Sequence, residues 1–249
     1  MRLEYKFLVH DDALARLRAD LMPFMHVDQH SQSRKVQEYT VRSIYFDTPK
    51  LDFYVEKIEG ERVRKKLRIR GYNDRTAQSI VFLEIKRKYE NSIAKDRSPL
   101  YFSDLDMFLR TSDVEQYVLS SNGHVGSALS AHRFLFNLKR RSLRPVVLVV
   151  YDREAFFCKF NGDLRITFDK NMRCLAFPTM NDLFIETDLT FSLRNHFVLE
   201  IKFYSGFPKW LQSIIEQHDL KRSALSKYTI CLDAHRMIKR QHRMRTPLL

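Results

Sequence analysis

Hydrophobic and polar residues alternate with a period of two along much of the chain, which is the pattern of β-strands whose two faces differ. In the first predicted strand, 2–9, Tyr5 and Phe7 fall on one face while charged residues take the other. The same alternation predicts further strands at 38–47, 61–72, 80–90, 146–157, 163–170 and 196–204, with a weaker one at 183–190. Strands therefore make up most of the predicted elements.

Apolar residues at helical spacing predict a smaller number of helices between these strands. The first begins after Asp11 or Asp12 and ends near Met22, because Pro23 cannot continue it. The others are predicted at 104–119, 127–141, 208–218 and 224–241. Strands outnumber helices and come in consecutive groups, so the expected class is α+β with a large, mainly antiparallel sheet. No linker divides the chain, which predicts a single domain over 1–249 with a basic helical tail at about 234–249.

The charge balance favours an anionic partner. Lysine and arginine total 43 against 30 acidic residues, which gives a formal net charge of +13. Nucleic acid, a nucleotide, polyphosphate and an anionic membrane surface all suit this charge. The three cysteines form no metal-spaced pair, and the first residues are charged where a signal peptide needs an apolar stretch. A cytoplasmic protein is therefore expected.

The third predicted strand carries the strongest signal for chemistry. At strict two-residue spacing, and so on one face, it places Arg62, Arg64, Lys66, Arg68 and Arg70. So many like charges cannot pack into an apolar core, whereas Leu67 and Ile69 on the opposite face can. A solvated outer face and an anion-binding face are both compatible with this strand alone.

Three strands repeat the pattern Glu-x-Lys on their charged faces: Glu4 and Lys6, Glu84 and Lys86, Glu200 and Lys202. Arg153 and Arg165 add cations on the fifth and sixth strands. A wide barrel with a wet interior could hold these groups, the cations binding phosphate and the glutamates binding a divalent metal. An open sheet with a charged solvent face is the alternative.

Short segments that together point to one family occur in order along the chain. They are EYKF at 4–7, SIYFDT at 43–48, KLRIRGY at 66–72, FLEIK at 82–86, KDR at 95–97, YDREAF at 151–156, LRITFD at 164–169, LEIK at 199–202 and SKY at 226–228. This ordered set, over about 4–233, resembles the catalytic VTC domain of vacuolar transporter chaperone polyphosphate polymerases. That domain belongs to the CYTH-like triphosphate tunnel metalloenzyme superfamily.

The resemblance implies an eight-stranded antiparallel tunnel with helices packed outside it. It also implies Mn²⁺- or Mg²⁺-dependent transfer of the γ-phosphoryl group of ATP to a growing polyphosphate chain. By position, it assigns phosphate binding to Lys6, Arg68, Arg70, Lys86, Lys95, Arg153, Arg165 and Lys227. Glu200 is the expected main metal ligand, with Lys202 beside it, and Glu4 and Glu84 are further candidate ligands. The candidate catalytic residues are Lys6, Arg68, Arg70, Lys86, Arg153, Arg165 and Lys202. The basic strand and the KDR segment add Arg62, Arg64, Lys66 and Arg97 as candidate phosphate-binding residues.

One departure from the superfamily pattern narrows the expected branch. Its triphosphatases and class IV adenylate cyclases begin with Glu-x-Glu-x-Lys, whereas Arg2 stands at the first of these positions here. That difference favours the VTC branch over a triphosphatase of inorganic or nucleoside substrates. The fungal and protist polymerases also carry an SPX domain and membrane helices that this sequence lacks. A separate membrane protein partner is therefore expected, with the chain cytoplasmic or peripheral at the inner face of a membrane.

Other classes of function fit less well. A non-catalytic module that binds polyphosphate or a nucleotide for a membrane partner stays open. Specific nucleic-acid binding is not expected, because aromatic residues are not interleaved with basic ones on an open platform. The sequence has no G-x-x-x-x-G-K-[ST] motif, which argues against a P-loop enzyme.

Overall fold

The computed structural model describes residues 3–28, 37–90, 92–119, 126–160, 162–204 and 206–235. Most of the predicted basic tail at 234–249 lies outside these ranges. The contacts divide the chain into two compact units. The first comprises 1–40, 150–173 and 191–230, and the second 41–149, 174–190 and 231–249. The expectation of a single domain stays a prediction.

Ten strands form hydrogen-bonded ladders among the described residues. They are β1 (Leu3–His10), β2 (Met25–Val27), β3 (Glu38–Asp47), β4 (Val63–Tyr72), β5 (Ile80–Tyr89), β6 (Ser92–Tyr101), β7 (Arg144–Cys158), β8 (Arg165–Ala176), β9 (Thr190–Phe191) and β10 (His196–Phe203). The hydrogen-bonded order is β1-β10-β8-β7-β3-β4-β5-β6, with β2 beside β7 and β9 beside β8. The ladders between β1 and β10, β10 and β8, β2 and β7, and along β3 to β6 are antiparallel. The predicted antiparallel sheet is confirmed.

Helices accompany these strands, as the α+β class requires. They are α1 (Leu14–Leu21), α2 (Asp52–Ile58), α3 (Leu105–Thr111), α4 (Val114–Tyr117), α5 (Ser127–Arg140), α6 (Lys209–Gln217) and α7 (Lys227–Ala234). Short 3₁₀ helices occupy Asp11–Ala13, Phe102–Asp104 and Met180–Phe184. Within the parts of the chain listed above, no helix is both long enough and apolar enough to cross a bilayer.

Two predicted elements differ from the observed ones for local reasons. The weak strand at 183–190 is wrong, because Met180–Phe184 forms a 3₁₀ helix that a capping box at Thr179 begins. The predicted helix at 104–119 is broken into α3 and α4, since Ser112 takes a left-handed conformation with φ of 60° and Asp113 caps the new helix. Strand β6 was not predicted at all.

In the first unit, the apolar faces of β1, β8 and β10 pack against α1 and α6. Leu17 and Leu21 from α1 and Leu211 from α6 are buried in the same cluster as Phe168 and Phe197 from the sheet. Side chains alternate across a strand, so the charged residues of these strands lie on the other face of the sheet. Helices α1 and α6 therefore cover the apolar face of these strands, and the charged side chains lie on the face opposite to them.

In the second unit, α5 covers the apolar side of the β3–β6 ladders. Its Phe134 meets Phe46 edge to face with ring centroids 5.8 Å apart. Asp96 also lies on this side and is paired with Arg87 at 2.6 Å and Arg133 at 2.7 Å. By alternation the opposite face carries most of the basic residues of β4 and β5, whereas Lys65 and Arg87 lie on the α5 side.

Candidate functional site

The pairing of β1 with β10 places the two Glu-x-Lys patterns of the first unit side by side on one face of the sheet. Lys6 lies opposite Glu200, which lies opposite Thr167 on β8. In the next row, Glu4 lies opposite Lys202, which lies opposite Arg165. Residues directly opposite each other in an antiparallel pair share a face. The two rows therefore form one charged surface, here called the first-unit grid.

Glu200 is the centre of this grid and is only 4% exposed. Its Oε1 accepts from Lys227 at 2.5 Å and lies 3.5 Å from the Lys6 ammonium. Its Oε2 accepts from Lys202 at 2.8 Å and lies 3.6 Å from Arg153 Nη2. Burial alone would raise the pKa of Glu200, but these four cations hold it well below its usual value. The carboxylate is ionised at any physiological pH.

Asp169 is a second buried carboxylate in the grid, and sequence reasoning gave it no role. Arg153 donates to it through Nε at 2.5 Å and Nη2 at 2.7 Å, a two-bond pairing. Lys227 Nζ lies 2.6 Å from its Oδ2, so this lysine bridges Asp169 and Glu200. The missed signal was alternation, since Asp169 follows Arg165 and Thr167 on the same face of β8.

Lys202 is the group in the grid whose charge changes closest to neutral pH. Burial and the neighbouring Arg153 lower its pKa from 10.5 to about 8, although Glu200 acts in the opposite direction. Lys6 behaves differently. Burial lowers its pKa, but Glu200 and Glu4 outweigh that and raise it overall.

Arg165 lies at the side of the grid with partners that the sequence pattern did not reveal. Its Nη2 donates to Asp28 at 2.9 Å and to the Tyr39 hydroxyl at 3.2 Å. Its Nε is buried and has no hydrogen-bond partner among the described residues, and the same holds for the Thr167 hydroxyl. Asp28 and Tyr39 carry no spacing signal in the sequence. Their role depends on tertiary structure.

The second unit carries its own charged cluster, centred on Glu84. Arg68 donates to Glu84 at 2.6 Å, Arg97 Nε lies 3.4 Å from it, and Arg70 Nε lies 3.8 Å from it. Burial would raise the pKa of Glu84, but the three arginines lower it to about 2. Tyr45 accepts a further hydrogen bond from Arg68 at 2.8 Å. These arginines are therefore held in place before any ligand binds.

Beyond Glu84 the rows of this face contain only cations at the charged positions. Lys66 lies opposite Lys86, which lies opposite Lys95, and Arg64 lies opposite Lys88. Arg62 does not join them, because it precedes β4 and its side chain is 85% exposed, 4.0 Å from Glu90. Like charges directly opposite each other are destabilising. Register thus concentrates positive charge on this face, here called the second-unit basic face.

Arg97 is also fixed by an aromatic contact on this face. Its guanidinium lies 3.6 Å from the centroid of the Phe82 ring. Tyr72 meets Phe82 edge to face with centroids 6.0 Å apart. Burial would raise the pKa of Tyr72, but Arg70 and Arg97 lower it overall. Phe82 and Tyr72 thus support the arginines of this face.

The three predicted metal ligands are divided between the two charged clusters. Glu4 and Glu200 approach the same atom, Lys6 Nζ, at 3.1 and 3.5 Å, whereas Glu84 belongs to the second unit. Over the described ranges, no group of three or more histidine, cysteine or carboxylate side chains could hold a metal by itself. Two converging carboxylates fit Mg²⁺ or Mn²⁺ if phosphate oxygens complete the coordination, as these ions commonly require. The donor set is compatible with a metal that arrives with a phosphate ligand.

Comparison with known proteins identifies the family. A family model for the VTC domain matches residues 1–235. Subunit 4 of the vacuolar transporter chaperone complex from Schizosaccharomyces pombe is 22% identical over 252 residues. The alignment covers 88% of this chain and 35% of that relative, so the chain spans about a third of the relative's length. Because the family match extends over nearly all the strands and helices described above, the chain belongs to the VTC domain family.

Proposed function

We propose that the chain is a metal-dependent polyphosphate polymerase that transfers the γ-phosphoryl group of ATP to a growing polyphosphate chain. The observation that carries the proposal is the charge of the second-unit basic face. Among the paired residues of β4, β5 and β6, one carboxylate, Glu84, shares this face with eight cations: Arg64, Lys66, Arg68, Arg70, Lys86, Lys88, Lys95 and Arg97. A chain of phosphates offers negative charge at short, regular intervals. It would relieve repulsion along all of these rows at once.

The chemistry of phosphoryl transfer suits such a site. Catalysis needs the charge of the phosphates neutralised and the reacting oxygens held in line, more than it needs a covalent intermediate. Arginine side chains bind phosphate oxygens in pairs, while lysines act as point charges. Lys6, Arg153, Arg165, Lys202 and Lys227 would serve the nucleotide phosphates in the first-unit grid. The enclosed eight-stranded tunnel that the resemblance implies is part of this proposal.

Glu200 and Glu4 would hold the Mn²⁺ or Mg²⁺ ion. A bound divalent ion supplies charge neutralisation at phosphate oxygens. The residues of the chain do the remaining work. The ammonium groups of Lys6 and Lys202 lie 3.5 and 2.8 Å from Glu200. When a triphosphate enters, both ammonium groups would turn their hydrogen bonds toward its oxygens and orient it.

A membrane partner completes the proposal. The relative from Schizosaccharomyces pombe is named as a subunit of a transporter chaperone complex. We therefore propose that this chain also works beside a separate membrane protein that receives the polyphosphate chain.

The test is incubation of the purified protein with γ-labelled ATP, Mn²⁺ and a pyrophosphate primer, with products separated by length on a gel. Wild type runs beside Glu200→Gln and beside Glu154→Gln. Glu154 is a matched control because it is also a buried carboxylate, paired with Arg18 at 2.7 Å and with Lys170, on the other face of β7. A ladder of labelled chains made by wild type and Glu154→Gln, and absent with Glu200→Gln, is the expected result.

Two other results would replace the proposal. Release of orthophosphate without chain growth would identify a triphosphatase of the same family. No turnover together with tight binding of polyphosphate would identify a binding module for the membrane partner.

A further inference from the structure

Two neighbouring donors on β8 are buried without a hydrogen-bond partner among the described residues. They are the hydroxyl of Thr167, a residue with 0% exposure, and Nε of Arg165. Arg165 satisfies its Nη2 with Asp28 and Tyr39, so the guanidinium is already oriented. The two donors belong to residues two positions apart on one strand. Their side chains therefore share a face.

That face is the first-unit grid. Thr167 lies directly opposite Glu200, and Arg165 directly opposite Lys202. Glu200 does not accept from Thr167; its oxygens accept from Lys227 at 2.5 Å and from Lys202 at 2.8 Å. A charged surface therefore surrounds a hydroxyl that none of its carboxylates uses.

Folding of the ligand-free chain does not explain this hydroxyl. A buried donor without a partner destabilises a folded protein, and a valine of the same shape would avoid that loss. Valine is also at least as favourable as threonine in a strand. The hydroxyl therefore has a use outside the ligand-free state, and an oxygen-rich anion supplies the acceptors that both donors lack.

We infer that Thr167 Oγ1 and Arg165 Nε donate to oxygens of one phosphoryl group and so form a subsite for a phosphoanhydride ligand. This inference rests on the proposed function and adds Thr167 to the residues that contact substrate. A hydroxyl contributes direction without charge. It can therefore orient a phosphoryl group among the five cations. A sixth cation would also do so, but it would bind the product more tightly.

The experiment measures tripolyphosphate binding by calorimetry and unfolding by urea for wild type, Thr167→Val, Thr167→Ser and Ser98→Ala. Ser98 is the matched control, because its hydroxyl is also buried without a partner among the described residues. It lies opposite Leu83 on β5, on the apolar side of the second unit. Thr167→Val should weaken tripolyphosphate binding about tenfold or more, since one hydrogen bond to a charged group is lost. Thr167→Ser should retain it.

The stability data separate a ligand contact from a structural one. Thr167→Val and Ser98→Ala should both be at least as stable as wild type without ligand, while Ser98→Ala binds tripolyphosphate normally. A Thr167→Val protein that binds as wild type does, or that loses stability which Thr167→Ser regains, would overturn the inference and leave the proposed function intact. Failure of wild type itself to bind tripolyphosphate would overturn both.

Discussion

Lys227 and Glu200 form a buried ion pair of 2.5 Å, and it links the first residue of α7 to the middle of β10. The same ammonium lies 2.6 Å from Asp169 on β8. Burial lowers the pKa of Lys227, but Asp169 and Glu200 raise it overall, so the lysine stays charged. One cation thus holds two carboxylates that would otherwise repel each other.

We predict that Lys227→Met strongly destabilises the protein. Removing one partner of a buried pair typically costs about 3–5 kcal/mol, and Lys6, Lys202 and Arg153, which stay next to the two carboxylates, should keep the loss toward the lower end. Urea unfolding should show the loss. The double variant Lys227→Met with Asp169→Asn should recover part of it, because one unpaired carboxylate is removed as well. Equal stability of Lys227→Met and wild type would mean that the two carboxylates do not depend on this lysine.

The lowered pKa of Lys202 predicts a pH dependence of anion binding. With a pKa of about 8, Lys202 is charged below that pH and neutral above it in the ligand-free protein. Phosphate favours the charged form, so binding above pH 8 requires uptake of a proton. The dissociation constant for tripolyphosphate should therefore rise as the pH increases through 8, by up to about tenfold per pH unit.

Lys202→Arg is the control for this dependence, since arginine keeps its charge over the whole range. Calorimetry between pH 7 and pH 9.5 should give a nearly flat profile for that variant. The lowered pKa also means that a charged Lys202 destabilises the folded protein. Between pH 8 and pH 10.5 the unfolded chain binds one more proton than the folded chain, so the free energy of unfolding should rise with pH over that range. Parallel binding profiles for wild type and Lys202→Arg would contradict the assignment.

The lowered pKa of Glu84 predicts that part of the free energy of unfolding is lost in acid. Its folded pKa of about 2 lies below the ordinary value of 4.5, so its contribution is complete above pH 4.5 and is lost as the pH falls toward 2. The loss is on the order of 3 kcal/mol, since one unit of pKa corresponds to about 1.4 kcal/mol. Urea unfolding of wild type and Glu84→Gln at several pH values should show a difference that shrinks on acidification. A constant difference would mean that the three arginines do not hold this carboxylate ionised.

A larger residue in place of Gly71 should disturb the packing of the second unit. A Cβ at this position would come 2.8 Å from Cζ of Phe184, which is closer than two carbons can approach. Phe184 is itself held edge to face against Phe102, with centroids 4.9 Å apart. Gly71→Ala should therefore reduce the free energy of unfolding by about 1–3 kcal/mol. Adding Phe184→Leu should relieve the clash, and thermal unfolding of the single and double variants would measure it.

Alternation made the faces of strands predictable, but not the partners across them. The pattern placed Glu4 and Lys6 on one face, and a period of two fixes that choice. It could not show that Glu4 would lie opposite Lys202, since register depends on how the strands pair. The candidate cations were therefore found from sequence, whereas Asp169 and its pairing were not.

Strand β6 shows why some elements escape sequence analysis. Its residues do not alternate between apolar and polar, and Asp96 points to the apolar side. That position becomes reasonable only when Arg87 from β5 and Arg133 from α5 supply its partners. Pro99 near the end of the strand further weakens the signal. The ion pairs that stabilise this strand form only in the tertiary structure, so no local sequence pattern predicts it.

The row formed by Lys66, Lys86 and Lys95 predicts opposite effects on stability and on binding. These three cations lie directly opposite one another on β4, β5 and β6. Lys95→Gln removes the charge opposite Lys86, so repulsion across the β5–β6 ladder falls and the free energy of unfolding without polyphosphate should rise by roughly 0.2–1 kcal/mol. Polyphosphate loses a point charge at the same position and should bind several-fold more weakly, with a shallower dependence on salt because fewer counterions are displaced. Urea unfolding and polyphosphate titrations at two salt concentrations measure the two effects on the same variant. His132→Gln, at an exposed position on α5, should change neither. Unchanged polyphosphate binding by Lys95→Gln, or a loss of stability in that variant, would contradict the prediction.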